Sequence, residues 1–344
     1  MSFPSNRKKF LFIVLIILAS AIILVSGLYL ITVKNDKIKK PDVETGLYLH
    51  SAVEGLEYDH VPGSSGSLAG VTVHINSHGF RGEELKPSQG DSDILAAVIG
   101  DSIVFGQGVP ENGTLPVHIE HILEAETGPV SVEVLNAGVR GYDMDEYLIY
   151  LKERVLPLGP DFVVLVITEI NDTRLEPSRL SSDKIEKWSK SWWFELPFVK
   201  PLMAGAYAEE VNRVFVEYVG EIYDPNGPHW PVFVGRLKTF QNICKDNDIG
   251  LLVITFPMIS EENMFKKERK QLQNTLDEMG IKWVDPMPEL SMHKADELVV
   301  SRDDFHPNGK ALRIAAEMAA APLSRMIMEK IDSEASSKRE DPGN

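Results

Sequence analysis

The stretch ILAAVIGDSIVFGQGV, residues 94–109, is an apolar run that ends in a glycine, an acid and a serine. Residues 94–100 are apolar on both alternating faces, as expected of a strand in a parallel sheet covered on both sides. Asp101 and Ser102 follow directly, and Gly106 and Gly108 mark a turn soon after. Taken alone, the stretch fits a helix cap at Ser102, a phosphate loop or a nucleophile presented at a strand end. No Gly-x-x-x-x-Gly-Lys loop and no complete Gly-x-Gly-x-x-Gly fingerprint occurs, so nucleotide binding has no support. The serine is also outside the Gly-x-Ser-x-Gly elbow of α/β-hydrolases.

Downstream the pattern repeats. Apolar runs at 94–100, 130–138, 161–168 and 250–256, and a shorter one at 281–286, read as strands. Amphipathic patterns at about 113–126, 144–155, 234–247, 262–279 and 309–331 read as helices. Strands alternating with helices predict a doubly wound α/β domain. Residues 173–233 break the rhythm with Trp188, Trp192, Trp193 and Trp230 and are read as a helical insertion. The tail 332–344 lacks apolar periodicity and is expected to be disordered.

In open α/β sheets ligands bind beyond the carboxyl ends of the strands. The residues there are Asp101-Ser102, then Asn136-Ala137-Gly138, then Glu169-Ile170-Asn171-Asp172, with SRDDFHPNG before the last helix. A serine hydroxyl needs a base; His306 is the candidate, with Asp303 to orient its ring. The backbone N–H groups of Ser102 and Gly138 and the amide of Asn171 are the expected oxyanion donors. Asp101, Glu169, Asp172, Trp192 and Trp193 are candidates for shaping the substrate site. His118 and His121, three apart on one helix, lack an obvious third ligand, and no metal site is expected.

GDSIVFG, NAGVRGY, EIND and DDFH together resemble the four blocks of the SGNH (GDSL-type) hydrolases, over roughly residues 94–325. The upstream NSHGFRGEE resembles a segment found before the hydrolase domain in some membrane-attached bacterial relatives. The resemblance implies a flavodoxin-like three-layer α/β/α fold and ester or thioester hydrolysis through an acyl-enzyme. It also implies a Ser102–His306–Asp303 triad and no metal or organic cofactor. Glu169 stands where the third block usually has glycine, which bears on substrate class.

Residues 10–33 form 24 positions without a charge, enough as a helix of roughly 36 Å to span a bilayer core. They are read as a retained single-pass anchor, with residues 34–93 as stem and leader carrying a short β element, the alternating VTVHIN at 71–76, and the hydrolase domain at 94–331 on the extracytoplasmic side. Basic residues flank the run on both sides, so charge counting does not orient it. The first 40 residues carry +6 against −16 overall, leaving −22 on the remainder, which argues against nucleic acid as a partner. Cys244 is the single cysteine, so an intrachain disulfide is excluded, and its spacing makes it a core residue. The expectation is a membrane-anchored serine esterase that deacetylates a carbohydrate or envelope glycan. Lipase, lysophospholipase or thioesterase activity, acyl transfer in glycan modification, and a non-catalytic scaffold are the alternatives.

Overall fold

A computed structural model describes residues 46–86, 93–128, 130–170, 172, 187–188, 191, 199–260 and 264–340. The chain divides into two compact units, Met1–Pro41 with Ser178–Tyr218, and Asp42–Pro177 with Val219–Asn344. The second unit is built on five parallel strands, β5 (Ile94–Gly100), β6 (Val132–Gly138), β7 (Phe162–Thr168), β8 (Gly250–Phe256) and β9 (Lys282–Val284). Their order is β6-β5-β7-β8-β9. This is the flavodoxin-like order, in which the strand sequence reverses direction between β5 and β7 and leaves a crevice at their carboxyl ends.

Every residue of β7 is buried. That explains its uninterrupted FVVLVIT, because a strand covered on both faces has no side for polar residues. One face, including Ala96, Val98, Val164 and Ile254, packs on helices α2 (Leu115–Glu126), the short α7 (Met287–Leu290) and α8 (Gly309–Glu340) through Ile119, Leu123, Leu290, Ala315 and Leu323. The intervening residues Ala97, Ile99, Val163 and Leu165 are equally buried on the other face. Helices α3 (Met144–Tyr150), α5 (Trp230–Asp246) and α6 (Lys266–Glu278) accompany that face, with Tyr147, Phe233, Leu237, Phe240 and Leu272 fully buried. Cys244 is buried here, and burial pushes its thiol up to about 12.

Residues 46–86, expected as stem and leader, belong to the same compact unit as the sheet. They form two antiparallel pairs, β1 (Tyr48–His50) with β2 (Tyr58–His60), and β3 (Ser65–Leu68) with β4 (Val71–His74). Leu47, Leu68, Val73 and Ile75 close a small core around Phe105, beside the predicted nucleophile. The turn after β4 is organised by Asn76, whose side-chain oxygen accepts from the N–H groups of His78 and Phe80. That turn delivers Arg81, which pairs in bridge fashion with Asn136 on the edge strand β6.

In the other unit the described residues include most of α4 (Val199–Ile222), where Arg213 pairs with Glu210 and Glu217. The tail departs from expectation: α8 continues through Glu340 rather than ending near 331. Its packed first half supplies a nucleus, and extending an existing helix through Ala, Glu, Lys and Arg costs little. Among the described residues no helix is long and apolar enough to cross a membrane. The apolar run 10–33 lies outside them.

Candidate active site

β5 ends at Gly100, and a single helical turn, α1 (Ser102–Phe105), begins at once. The cap of that turn is Asp101, whose carboxylate accepts from the N–H of Ile103. Ser102 is therefore released from capping, and its hydroxyl lies 2.9 Å from Nε2 of His306. The turn closes on Gly106 with φ at +85°, a conformation that favours glycine. With only four residues, α1 contributes little dipole to the serine.

His306 reaches this point from the loop before α8. The His306 carbonyl accepts from the N–H of Val300. Two residues on, the Asn308 side chain accepts from the N–H groups of Lys310 and Ala311, capping α8. The acid on the ring is Asp304, whereas the sequence pointed to Asp303. Asp304 Oδ1 lies 2.5 Å from His306 Nδ1 and accepts from the His306 N–H at 3.1 Å. A carboxylate two residues before the histidine folds back on it in a tight turn; Asp303 instead is exposed and lines the adjoining pocket. Burial pushes the Asp304 carboxyl up, but hydrogen bonds from His306 and from Gln107 outweigh it and hold it below its ordinary value. With Nδ1 donating to Asp304, Nε2 is the nitrogen left to accept the serine proton.

The other expected residues divide differently. The N–H of Gly138 donates to Asn136 Oδ1 at 3.1 Å, so the donor predicted for an oxyanion is already used inside the fold. This position requires glycine for another reason: a Cβ there would fall 2.2 Å from the Phe105 nitrogen. Asn171, Trp192 and Trp193 lie outside the described residues. Glu169 does not face the site. It is buried against Arg269 and accepts from the N–H of Met258 at 2.8 Å, while Arg269 also meets Asp285. Burial raises Glu169 to about 7 against the pull of Arg269. Asp172 is fully buried, accepts from Tyr147 Oη at 2.5 Å and from the Thr168 N–H at 2.6 Å, and ties the end of β7 to α3. Burial, and then the nearby Asp101 carboxylate, raise Asp172 well above its ordinary value. Asp101 is itself buried. Neither acid therefore offers a surface to substrate.

Two arginines that sequence reasoning passed over lie against the turn that follows Ser102. Arg81 is buried and donates to the carbonyls of Phe105, Gly106 and Val109 at 2.6, 2.7 and 2.7 Å. Burial lowers its guanidinium to about 10, which leaves it charged at neutral pH. Arg140, just after β6, donates through Nε to Gln107 Oε1 at 2.6 Å. The sequence signal for Arg81 was the NSHGFRG turn itself; Arg140 and Gln107 carried none.

A pocket of about 480 Å³ opens beside Ser102 and His306. Ile103, Ile170, Phe256, Met258, Ile259 and Phe305 give it a largely apolar wall. His118 and His121 lie on α2 away from it, and no cluster of metal-ligating side chains occurs among the described residues.

No protein-family model matches the chain. It is 22% identical over 229 residues to the uncharacterized protein YpmR of Bacillus subtilis (strain 168), covering 65% of this chain and 79% of that one. Among solved structures it is similar to a G-D-S-L family protein from Desulfitobacterium hafniense DCB-2, at 14% identity and TM-score 0.39, covering 66% of this chain and 98% of that one. It is also similar to Axe2, an acetylxylan esterase from Geobacillus stearothermophilus, at 16% identity and TM-score 0.40, covering 65% and 91%. A two-domain esterase active on acetylated mannans matches at 14% identity and TM-score 0.40, covering 70% of this chain and 50% of its own.

Proposed function

We propose that the protein is a serine ester hydrolase working through an acyl-enzyme on Ser102. The observation that carries this is the line Ser102 Oγ–His306 Nε2–His306 Nδ1–Asp304, with 2.9 Å at the serine and 2.5 Å at the acid. As Ser102 Oγ attacks the ester carbonyl, its proton passes to Nε2 and Asp304 stabilises the imidazolium. Collapse of the tetrahedral intermediate breaks the C–O bond, and Nε2 returns the proton to the departing alkoxide. Water repeats the sequence, releasing the carboxylic acid and restoring the serine. Asn171, by its place after β7, is the proposed side-chain donor to the oxyanion.

The expected substrate is an acylated glycan, and residues 10–33 are the proposed membrane anchor of the protein, with the catalytic unit on the extracytoplasmic side. A second reading, an ester of a longer fatty acid, draws support from the apolar wall beside Ser102, which has room for more than an acetyl group. An ester panel from acetyl to octanoyl separates the two. Acetylated oligosaccharide turnover that falls with chain length supports the first, and a rise toward octanoyl the second. Incubation with a serine-directed phosphonate followed by intact-mass measurement tests the chemistry. One adduct at Ser102 is expected, absent from Ser102→Ala, and an unlabelled protein without turnover of any ester would leave the scaffold reading.

A further inference from the structure

We propose that Gln107 is a positioning residue that holds Asp304 on His306, with its own place set by two arginines, Arg140 and Arg81. The proposal rests on the serine hydrolase reading above. Asp304 has two carboxylate oxygens: Oδ1 serves the histidine, and Oδ2 lies 3.3 Å from the Gln107 amide nitrogen. A carboxylate held at one oxygen turns easily about its last torsion, which is broad and shallow. A donor on the second oxygen stops that turning. The Gln107 nitrogen is also 3.2 Å from His306 Nδ1. Both nitrogens carry hydrogen once Nδ1 donates to Asp304, so the amide's acceptor is Oδ2.

An amide can flip end for end, and a flipped Gln107 would turn its oxygen against the carboxylate. Arg140 prevents this. Its guanidinium has only donors and approaches Oε1 at 2.6 Å, so the amide nitrogen must face Asp304. Arg140 in turn is tied to the leader, since Tyr58 Oη donates to its carbonyl and its charge lies beside Tyr48. The backbone of Gln107 is held separately. Its N–H donates to the Ser102 carbonyl at 3.0 Å, so the nucleophile and the orienting residue move as one turn. Gly106 and Gly108 flank it at φ +85° and +71°. The Arg81 bonds to the carbonyls of 105, 106 and 109 grip the turn on both sides of Gln107. One buried guanidinium thus satisfies carbonyls that the end of a short helix leaves open.

The test compares the unmodified 344-residue chain with Gln107→Leu, Gln107→Glu and Arg140→Met, using a p-nitrophenyl ester from about pH 5 to 9. Gln107→Leu is expected to lower kcat by about 10- to 100-fold with KM within about twofold, as misplacement of an acid–base pair does. Gln107→Glu sets a second carboxylate beside the ring and favours its charged form. The acid limb of kcat/KM should then move to higher pH by about 0.5 to 1. Arg140→Met, which frees the amide, should reproduce part of the leucine loss and gives the answer if Gln107→Glu does not fold. A reading independent of turnover is the low-field Nδ1–H proton resonance of His306 in protein labelled with [15N]histidine. It should be sharp in the unmodified protein and broadened or lost in Gln107→Leu. An unchanged resonance together with unchanged kcat overturns the proposal, as does a loss of activity that merely follows a lower Tm with the resonance intact. If the unmodified protein hydrolyses no ester, the hydrolase reading fails, while the resonance still decides whether Gln107 holds the pair.

Discussion

At the scale of single residues, the choice between two adjacent aspartates matters most. Asp303 and Asp304 are chemically identical in the sequence, and only the path of the 301–308 loop decides which meets the imidazole. Asp304 makes both contacts to His306 and is the acid whose carboxyl is held low. Asp304→Asn should therefore lower kcat by about 10²- to 10⁴-fold, because an amide there stabilises the wrong tautomer and no imidazolium. Asp303→Asn should change it by less than about threefold. Steady-state kinetics of the two variants decide the matter, and the reverse pattern would restore Asp303. The juxtaposition of Ser102 and His306 was legible because Ser102 follows the end of β5 and His306 lies in the acid- and histidine-bearing loop just before the last helix. Gln107 was not legible, since a glutamine has no chemistry of its own to announce and acts only through what it touches.

At the scale of elements, the leader and the Ser102 turn form one structure. A polar, Gly/Ser-rich stretch reads as a stem with one short strand at 71–76, which is present as β4, and that reading misses how few residues suffice to dock the whole segment. Val73 and Ile75 meet Phe105, Phe80 meets the Tyr150 ring at 5.9 Å, and Arg81 enters the turn. The alternating strand and helix periods, by contrast, carried the sheet, since burial on both faces leaves a direct trace in composition. Arg81→Met removes the donors to three carbonyls and should destabilise the protein by about 2–4 kcal/mol. Arg81→Lys should recover only part of this, because an ammonium cannot reach three acceptors in a fork. Urea unfolding of the two variants measures it. A lysine variant as stable as the original would show that charge alone, and not the fork, holds the turn.

At the scale of the whole molecule, two buried groups set opposing responses to pH. His60 packs on Phe105 at 5.3 Å and on Tyr48, and burial lowers it from 6.5 to about 4. The unfolded chain then binds the extra proton between those values, so this histidine's contribution favours folding above about 6.5 and is lost as pH falls toward 4. Glu169 has the opposite sign. Burial raises it from 4.5 to about 7, so the folded chain holds the proton more tightly and stability falls as pH rises through that window. The groups lie in separate parts of the second unit, one in the leader and one beyond β7, so their effects should add. Relative to the original protein, His60→Phe should gain stability as pH drops from 6.5 to 4, by up to ~3 kcal/mol. Glu169→Gln should gain by a similar amount, about 3 kcal/mol at most, as pH rises from 4.5 to 7. Urea titrations at half-unit pH steps give both differences directly. A His60→Phe difference that does not vary with pH would mean the ring takes up its proton in the folded state, with the aromatic cluster opening around it.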